Sequence, residues 1–378
     1  MSISKQKIMI VAGEASGDIH GARLVEAIRE LNPELDFFGI GSSALRQAGV
    51  DVKFENSQIA VVGISEALAK LKLLARALRV AKRSLIETRP ALLILIDFPD
   101  FNLRLATVAR KHGIPVMYYI SPQVWAWRRR RVKKIKKVVD HMVVIFPFEV
   151  PFYKRWNIPV TFVGHPLLDS ATSKTRSEKE ENANEKELFI GLLPGSRNEE
   201  ITRLLPAMIR AAEIISEQIP GVRFAIPVAS RVEMGLVKRI VERVPVTVLI
   251  QADGVQDVLA KATLVITASG TVTLEAAIAN VPMIIVYRIS GLSYWLAKLL
   301  IRVKYIGLVN LIAGRMVVPE LIQHEVSAEN IARHALEMLE GEKTLAEIRS
   351  RLRQVVQQLG APGASRRAAE VAMSLLSK

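Results

Sequence analysis

Residues 92–106 read LLILIDFPDFNLRLA. An unbroken apolar run ends at Ile96, a polar turn with Asp97, Asp100 and Asn102 follows, and a helical pattern then resumes. A strand with one wet face alternates apolar and polar residues, whereas a strand covered on both faces has no need to. The stretch therefore predicts a strand buried between two helical layers, with Asp97 delivered to its C-terminal end.

The same signature recurs on both sides of it. Continuous apolar runs stand at IMIVA (8–12), LDFFGI (35–40), ALLILI (91–96), VMYYI (116–120), MVVIF (142–146) and VTFVG (160–164). They continue at LFIGLLP (188–194), RFAIPV (223–228), VTVLI (246–250), LVIT (264–267) and MIIVY (283–287). Amphipathic stretches such as GARLVEAIREL and LPAMIRAAEIISEQ lie between them. Alternating strand and helix patterns of this kind predict an α/β fold with doubly wound parallel sheets. Residues 169–187, DSATSKTRSEKEENANEKE, hold almost no large apolar side chain and read as a polar linker. The expectation is two Rossmann-like domains, 1–168 and 188–345, with parallel sheets facing a central cleft. Residues 346–378 read as helical, broken by LGAPGAS at 359–365, where Ser365 is the expected N-cap of the last helix.

A chain of 378 residues, half of them hydrophobic, can build two such cores. It has no cysteine, which removes disulfides, thiolate catalysis and cysteine-based metal sites and fits a reducing compartment. The formal charge of +15 favours anionic partners. The N-terminal apolar run, Ile8 to Ala12, is too short for a secretory signal and reads as a first strand. Segment 292–313 is the most membrane-like, but Lys298, Arg302 and Lys304 stand in it. Each would cost roughly 2.5–3.5 kcal/mol at a bilayer centre, so a spanning helix is not expected.

In an open parallel sheet ligands meet the loops that leave the strand C-termini, where helix N-termini present free N–H groups. Four junctions carry candidate chemistry. The first, VAGEASGDIHGARL (11–24), spaces Gly13, Gly17 and Gly21 four apart and crowds Glu14, Ser16, Asp18 and His20 into one turn. It is neither a dinucleotide fingerprint nor a P-loop, and a plain strand–helix turn competes with an acceptor-binding loop. At the second, Asp97 reads either as a desolvated general base or as a helix cap. Asp97 and Asp100 are too few for a metal site, and no metal or cofactor is expected. The third, GLLPGSRNEEI (191–201), gathers Gly195, Ser196 and Arg197 as a diphosphate cradle or as a well-capped helix start. The fourth places Ser269, Gly270, Thr271, Thr273 and Glu275 in one turn, where Glu275 suits sugar hydroxyls or a capping box.

Taken in order, GEASGDIHGA (13–22), DFPDFN (97–102), SPQVWAWRRRRVKKIKK (121–137), VGHPLLD (163–169), LLPGSRNEEI (192–201), SGTVTLEAA (269–277) and KYIGLVNLIAGRMVVPELIQ (304–323) resemble the lipid-A-disaccharide synthase family over nearly the whole chain. The resemblance implies a GT-B fold with C-terminal helices crossing back to the first domain. It implies an inverting transfer of 2,3-diacylglucosamine from its UDP derivative to 2,3-diacylglucosamine 1-phosphate, giving a β-1′,6-linked disaccharide 1-phosphate and UDP, without a metal. By the same resemblance Asp97 is the base on the acceptor hydroxyl and Arg197 binds the UDP diphosphate. Gly195, Ser196, Ser269, Gly270, Thr271, Thr273, Glu275 and Asn310 then line the UDP-sugar side, and Glu14, Ser16, Asp18 and Asp100 the acceptor side.

Acylated substrates require reach to a bilayer. In residues 59–83, Leu68, Leu71, Leu74, Ala75 and Leu78 share one helical face ringed by Lys and Arg, and Leu73 stands opposite as extra exposed hydrophobicity. In WAWRRRRVKKIKK (125–137), Val132, Ile135 and Val139 recur at helical spacing, leaving Arg128, Arg129, Arg130 and Lys133 as an electrostatic seat on lipid. These features predict a cytoplasmic protein held peripherally on the anionic inner face of the inner membrane, and they leave a homodimer open. A UDP-sugar epimerase is the competing enzyme class. Nucleic-acid binding would rest on charge alone, with no recognisable binding module beside it, and is not expected.

Overall fold

A computed structural model describes residues 6–56, 67–127, 129–171, 188–291, 294–295 and 303–377. The chain forms two compact units, one of residues 1–169 and 359–378, the other of residues 170–358. Most of the expected linker lies outside the described residues, as do Arg128 and the centre of segment 292–313.

The first unit is a seven-stranded parallel sheet. Its strands are β1 (Lys7–Ala12), β2 (Asp36–Gly41), β3 (Asp51–Glu55), β4 (Leu92–Ile96), β5 (Val116–Tyr119), β6 (His141–Val144) and β7 (Val160–Phe162), in the order β3-β2-β1-β4-β5-β6-β7. Leu92 to Ile96 are all fully buried, as an unbroken apolar run demands. On one face Met9, Val11, Leu93, Leu95, Val116 and Tyr118 pack with Ala77, Ala81 and Leu85 of helix Ala67–Thr88 and Leu105, Ala106 and Ala109 of helix Pro99–Lys111. The opposite face is covered in part by helix Ala15–Leu31, against which the last helix, Ala364–Leu376, packs. Buried Ala368, Ala369 and Ala372 let those two helices approach closely.

The second unit is a six-stranded parallel sheet of β8 (Phe189–Leu193), β9 (Arg223–Val228), β10 (Val248–Ala252), β11 (Leu264–Ala268), β12 (Met283–Tyr287) and β13 (Glu320–Ile322), in the order β10-β9-β8-β11-β12-β13. Both sheets therefore run outward from their first strand in two directions. The reversal falls between β1 and β4 in one, where Ala12 stands beside Ile96, and between β8 and β11 in the other, where Leu193 stands beside Thr267. A crevice at the strand C-termini opens at such a switch point, because the two connecting helices leave to opposite faces.

Three details depart from expectation. The alternating DVKFE of β3 and the three-residue β13 carry too little apolar signal to be read as strands, and both form on sheet edges. The chain rejoins the first unit at Leu359, later than 346, because helix Glu342–Gln358 packs with helices Val272–Ile278 and Leu308–Ala313 of the second. Ser365 lies inside the last helix, whose N-cap is Gly363 at φ +95°. The free N–H groups there are taken by the Asp169 carboxylate, which accepts from Gly363 N at 2.7 Å, Ala364 N at 3.2 Å and Ser365 N at 3.3 Å.

Candidate functional site

In the first unit the turns after β1 and β4 meet at the switch point. Asp97 and Phe98 both take left-handed backbone conformations, at φ +45° and +49°, which side-chain-bearing residues adopt only when the surroundings hold them. Asn102 supplies one restraint: its Nδ2 donates to the Ile96 carbonyl at 3.1 Å and to the Asp97 carbonyl at 2.6 Å. The Tyr118 hydroxyl donates to the same Asp97 carbonyl. The Phe98 ring stacks on Phe101 with centroids 5.1 Å apart and lies against Gly13, where a Cβ would come within 2.2 Å of it. Gly17 and Gly21 pack toward Ile96, so all three evenly spaced glycines serve the contact of helix Ala15–Leu31 and its preceding turn with β4 and the turn that follows it.

The result is a half-buried Asp97 whose pKa is pushed up to about 6. Desolvation is the main cause, the Glu14 carboxylate adds like-charge repulsion, and a bond from the Phe98 backbone opposes both. Asp100 differs: its side chain is 72% exposed and pairs with Arg131, whose guanidinium also lies over the Trp127 ring at 5.8 Å. Of the two carboxylates only Asp97 has the environment of a base. Glu14, whose charge Asp97 feels, is exposed, as is Ser16. Asp18 is not: it is buried, and its carboxylate accepts from Ser42 N at 2.6 Å, Ser42 Oγ at 2.8 Å and Ala44 N at 2.9 Å. It caps the short helix Ser43–Gln47, and its acceptor-side assignment is corrected to a structural one.

The helix start after β6 holds a residue that patterning missed. Glu149 is 1% exposed, and its carboxylate accepts from Trp125 Nε1 and from Phe146 N, each at 3.1 Å. Burial pushes its pKa up to about 7, against the pull of these bonds and one from Ser121. A lone carboxylate inside the apolar run FPFEVPF was the available signal. Glu149 thereby pins the buried Trp125 and leaves Trp127, 37% exposed, at the surface. Beyond it, helix Val132–Val138 buries Val132, Ile135 and Val138 and exposes Lys133, Lys134, Lys136 and Lys137, with Arg130 also exposed. The side chain of Arg129 lies outside the described residues.

In the second unit the turns after β8 and β11 line a cavity of about 380 Å³. Its walls include Gly195, Ser196, Arg197, Glu200, Ser269, Gly270, Thr271 and Glu275. Gly195 sits at φ +119°, a conformation that favours glycine. Burial raises the pKa of Glu275, whose Oε2 accepts from Gln256 Nε2 at 2.7 Å. Ser269 Oγ donates to the Ile306 carbonyl at 3.2 Å, and the buried Thr273 Oγ1 donates to the Gly270 carbonyl at 2.7 Å, so Thr273 shapes the turn without lining the cavity. Asn310 also requires correction. It is fully buried, its Nδ2 donates to Val318 O and Glu320 Oε1, both at 2.8 Å, and its Oδ1 accepts from Val317 N and Val318 N. Its amide has no bond left for a ligand.

On helix Ala67–Thr88, Leu73 departs from its expected exposure and Leu71 does not. Leu73 packs against the core with Leu74 and Leu78, while Leu71 is 62% exposed. The buried stripe continues through Ala77, Ala81 and Leu85, which rotates Leu71 outward. The side chain of Leu68 lies outside the described residues. Among the described residues, no helix is long and apolar enough to cross a membrane.

The model of the lipid-A-disaccharide synthetase family matches residues 8–375. Lipid-A-disaccharide synthase of Trichlorobacter lovleyi is 44% identical over 382 residues, covering 100% of both chains. That of Geobacter sulfurreducens is 45% identical over 379 residues, covering 99% of this chain and 98% of the relative. Among solved structures, a UDP-N-acetylglucosamine 2-epimerase from Listeria monocytogenes superposes with a TM-score of 0.66 at 12% identity, covering 99% of this chain and 97% of that one. MurG of Acinetobacter baumannii gives 0.61 at 15% identity, with 98% and 99% covered. At such identities these structures speak to the fold, two Rossmann-like domains of GT-B type.

Proposed function

This chain belongs to the lipid-A-disaccharide synthetase family, and from that premise we propose how its residues carry the reaction. It is a UDP-sugar-dependent glycosyltransferase. The reaction moves 2,3-diacylglucosamine from UDP to the 6-hydroxyl of 2,3-diacylglucosamine 1-phosphate, with inversion at the anomeric carbon. Asp97 takes the hydroxyl proton as that oxygen attacks; the new C–O bond forms while the bond to the diphosphate breaks, and UDP leaves with the electron pair. A carboxylate with its pKa raised to about 6 is ionised near neutral pH yet more basic than an ordinary aspartate. Such positioned proton transfer contributes roughly 10²–10⁴-fold. This desolvated carboxylate, held at a switch point by two bonds to its own carbonyl, is the observation that carries the reading.

On the donor side the Gly195–Ser196 turn and the Arg197 guanidinium neutralise the charge that grows on the diphosphate as it departs. Ser269, Gly270 and Thr271 approach the nucleotide, and Glu275, oriented by Gln256, accepts from its sugar hydroxyls. Incubation with UDP-2,3-diacylglucosamine, with and without acceptor, tests the assignment. UDP release that requires acceptor is expected; isomerisation of a soluble UDP-sugar in its place would support an epimerase and overturn it.

The acyl chains of both substrates favour a peripheral seat on the cytoplasmic face of the inner membrane. Exposed Lys133, Lys134, Lys136 and Lys137, with Arg130, Trp127 and Leu71, supply charge and apolar area for it. Each cation near an anionic surface contributes about 1 kcal/mol. Replacing the four lysines by serine should abolish co-sedimentation with anionic vesicles; retention at the wild-type level would remove this surface from the proposal.

A further inference from the structure

We infer that Glu200 is a stand-in for phosphate built into the donor site, and that UDP is expelled after transfer by exchange with its carboxylate. The inference rests on the reading of residues 195–197 as the diphosphate cradle. Both anion-binding groups of that cradle are already bonded to one anion. The Ser196 backbone N–H donates to Glu200 Oε2 at 2.8 Å, and the Arg197 guanidinium donates to Oε1 at 3.1 Å. A Cβ on Gly195 would lie 2.2 Å from the same Oε2, so the carboxylate rests directly on the turn. Glu200 also lines the cavity.

Helix capping explains only part of this arrangement. Arg197 is the N-cap of helix Asn198–Gln218, which puts Glu200 at its third position, where a capping-box glutamate reaches back to the N–H of the N-cap residue. Here the carboxylate reaches one residue further, to Ser196, and spreads its second oxygen over the guanidinium. The Arg197 side chain is 71% exposed, so the pair is screened by solvent and inexpensive to open. A deeply buried pair would instead resist exchange.

The charges of substrate and product give the exchange a direction. The β-phosphorus of a UDP-sugar is esterified by the sugar, whereas free UDP ends in a terminal phosphate carrying additional negative charge. Like charges brought to one site repel. Glu200 therefore competes with both nucleotides for Ser196 and Arg197 but opposes UDP more strongly. It weakens product binding selectively and returns to the cradle when UDP leaves.

The test is the affinity of UDP and of uridine, by calorimetry, for the wild type, Glu200→Gln and Arg197→Ala, alongside the UDP product-inhibition constant and the donor KM. Glu200→Gln should tighten UDP about tenfold, the scale of one charge-assisted bond no longer contested. It should leave uridine affinity unchanged and lower the inhibition constant of UDP by a larger factor than it lowers the donor KM. A residue that only caps the helix would give a lower melting temperature and no gain of affinity. Unchanged or weaker UDP binding in Glu200→Gln, or equal tightening of uridine, overturns the inference; Glu200→Ala gives the same readout should the glutamine variant fail to fold. If Arg197→Ala leaves UDP affinity unchanged, the cradle reading itself fails. If it weakens UDP while Glu200→Gln does not tighten it, the cradle stands and only the role of Glu200 falls.

Discussion

At the end of β4 a carboxylate is withdrawn from water and its backbone is locked, while at the end of β8 a carboxylate lies loosely across a guanidinium. Both turns border the switch point of a parallel sheet, and both begin a helix. Among the described residues Asp97 bonds to no cation, and burial is the main cause of its raised pKa. Glu200 meets Arg197 on an exposed rim, so its bonds are easily traded. A proton acceptor must keep one geometry and one basicity, whereas a diphosphate site must fill and empty once per turnover. A strand-to-helix junction at a switch point thus supports rigidity in one unit and exchangeable charge in the other.

The contrast is broken most directly by Asp97→Asn, which keeps shape and removes the base. Turnover should fall roughly 10²–10⁴-fold while UDP affinity stays near the wild-type value. Steady-state kinetics paired with calorimetry check this, and near wild-type turnover would refute the assignment. The same substitution has a stability signature. The folded pKa of Asp97 is about 6 against an ordinary 3.8, so the folded protein holds a proton that the unfolded chain releases. Stability is therefore lost as pH rises through that window, and the full cost is present above it. Asp97→Asn should raise the melting temperature near neutral pH and give little gain below about pH 4.

Arg197→Ala should come next in size. Losing a charge-assisted contact to phosphate costs about tenfold in UDP affinity, partly offset because Glu200 also loses its partner. Tyr118→Phe is smaller again. It removes one of the two side-chain bonds on the Asp97 carbonyl, worth about 0.5–1.5 kcal/mol, and should lower kcat a fewfold with donor KM unchanged. An equal loss in both parameters would mean that Tyr118 supports the fold and not the placement of the base.

Much of this architecture was legible because buried parallel strands write themselves as unbroken apolar runs. Leu92–Ile96 is the clearest example, and its turn fell where a motif stood. Edge strands such as Asp51–Glu55 escaped because one exposed side relaxes the pattern. Within the site, legibility stopped at side-chain direction. Asp18 and Asn310 look like ligand-binding residues by type and place, yet both spend their polar atoms on nearby backbone. Conversely, Glu149 and Gln256 act through partners distant in sequence, Trp125 and Glu275, which no local spacing encodes. Leu73 shows the same limit on a helix: it was expected outside the apolar stripe, yet it packs against the core beside Leu74 and Leu78.

The smallest effect isolates what sets the pKa of Asp97. Desolvation is its larger cause and Glu14 the second, so Glu14→Gln should move that pKa only part of the way back toward the ordinary range. The base works ionised, and the acidic limb of kcat/KM follows the pKa of the free enzyme. Removing the like charge therefore shifts that limb to lower pH, and the variant should outperform the wild type, relative to each plateau, below about pH 6. Its plateau should drop slightly, because a less raised carboxylate is a weaker base. A limb that does not move would mean that burial alone sets the basicity of Asp97. A limb at the position of an ordinary aspartate would mean that Glu14, and not the locked turn, distinguishes this carboxylate from the exposed one at Glu200.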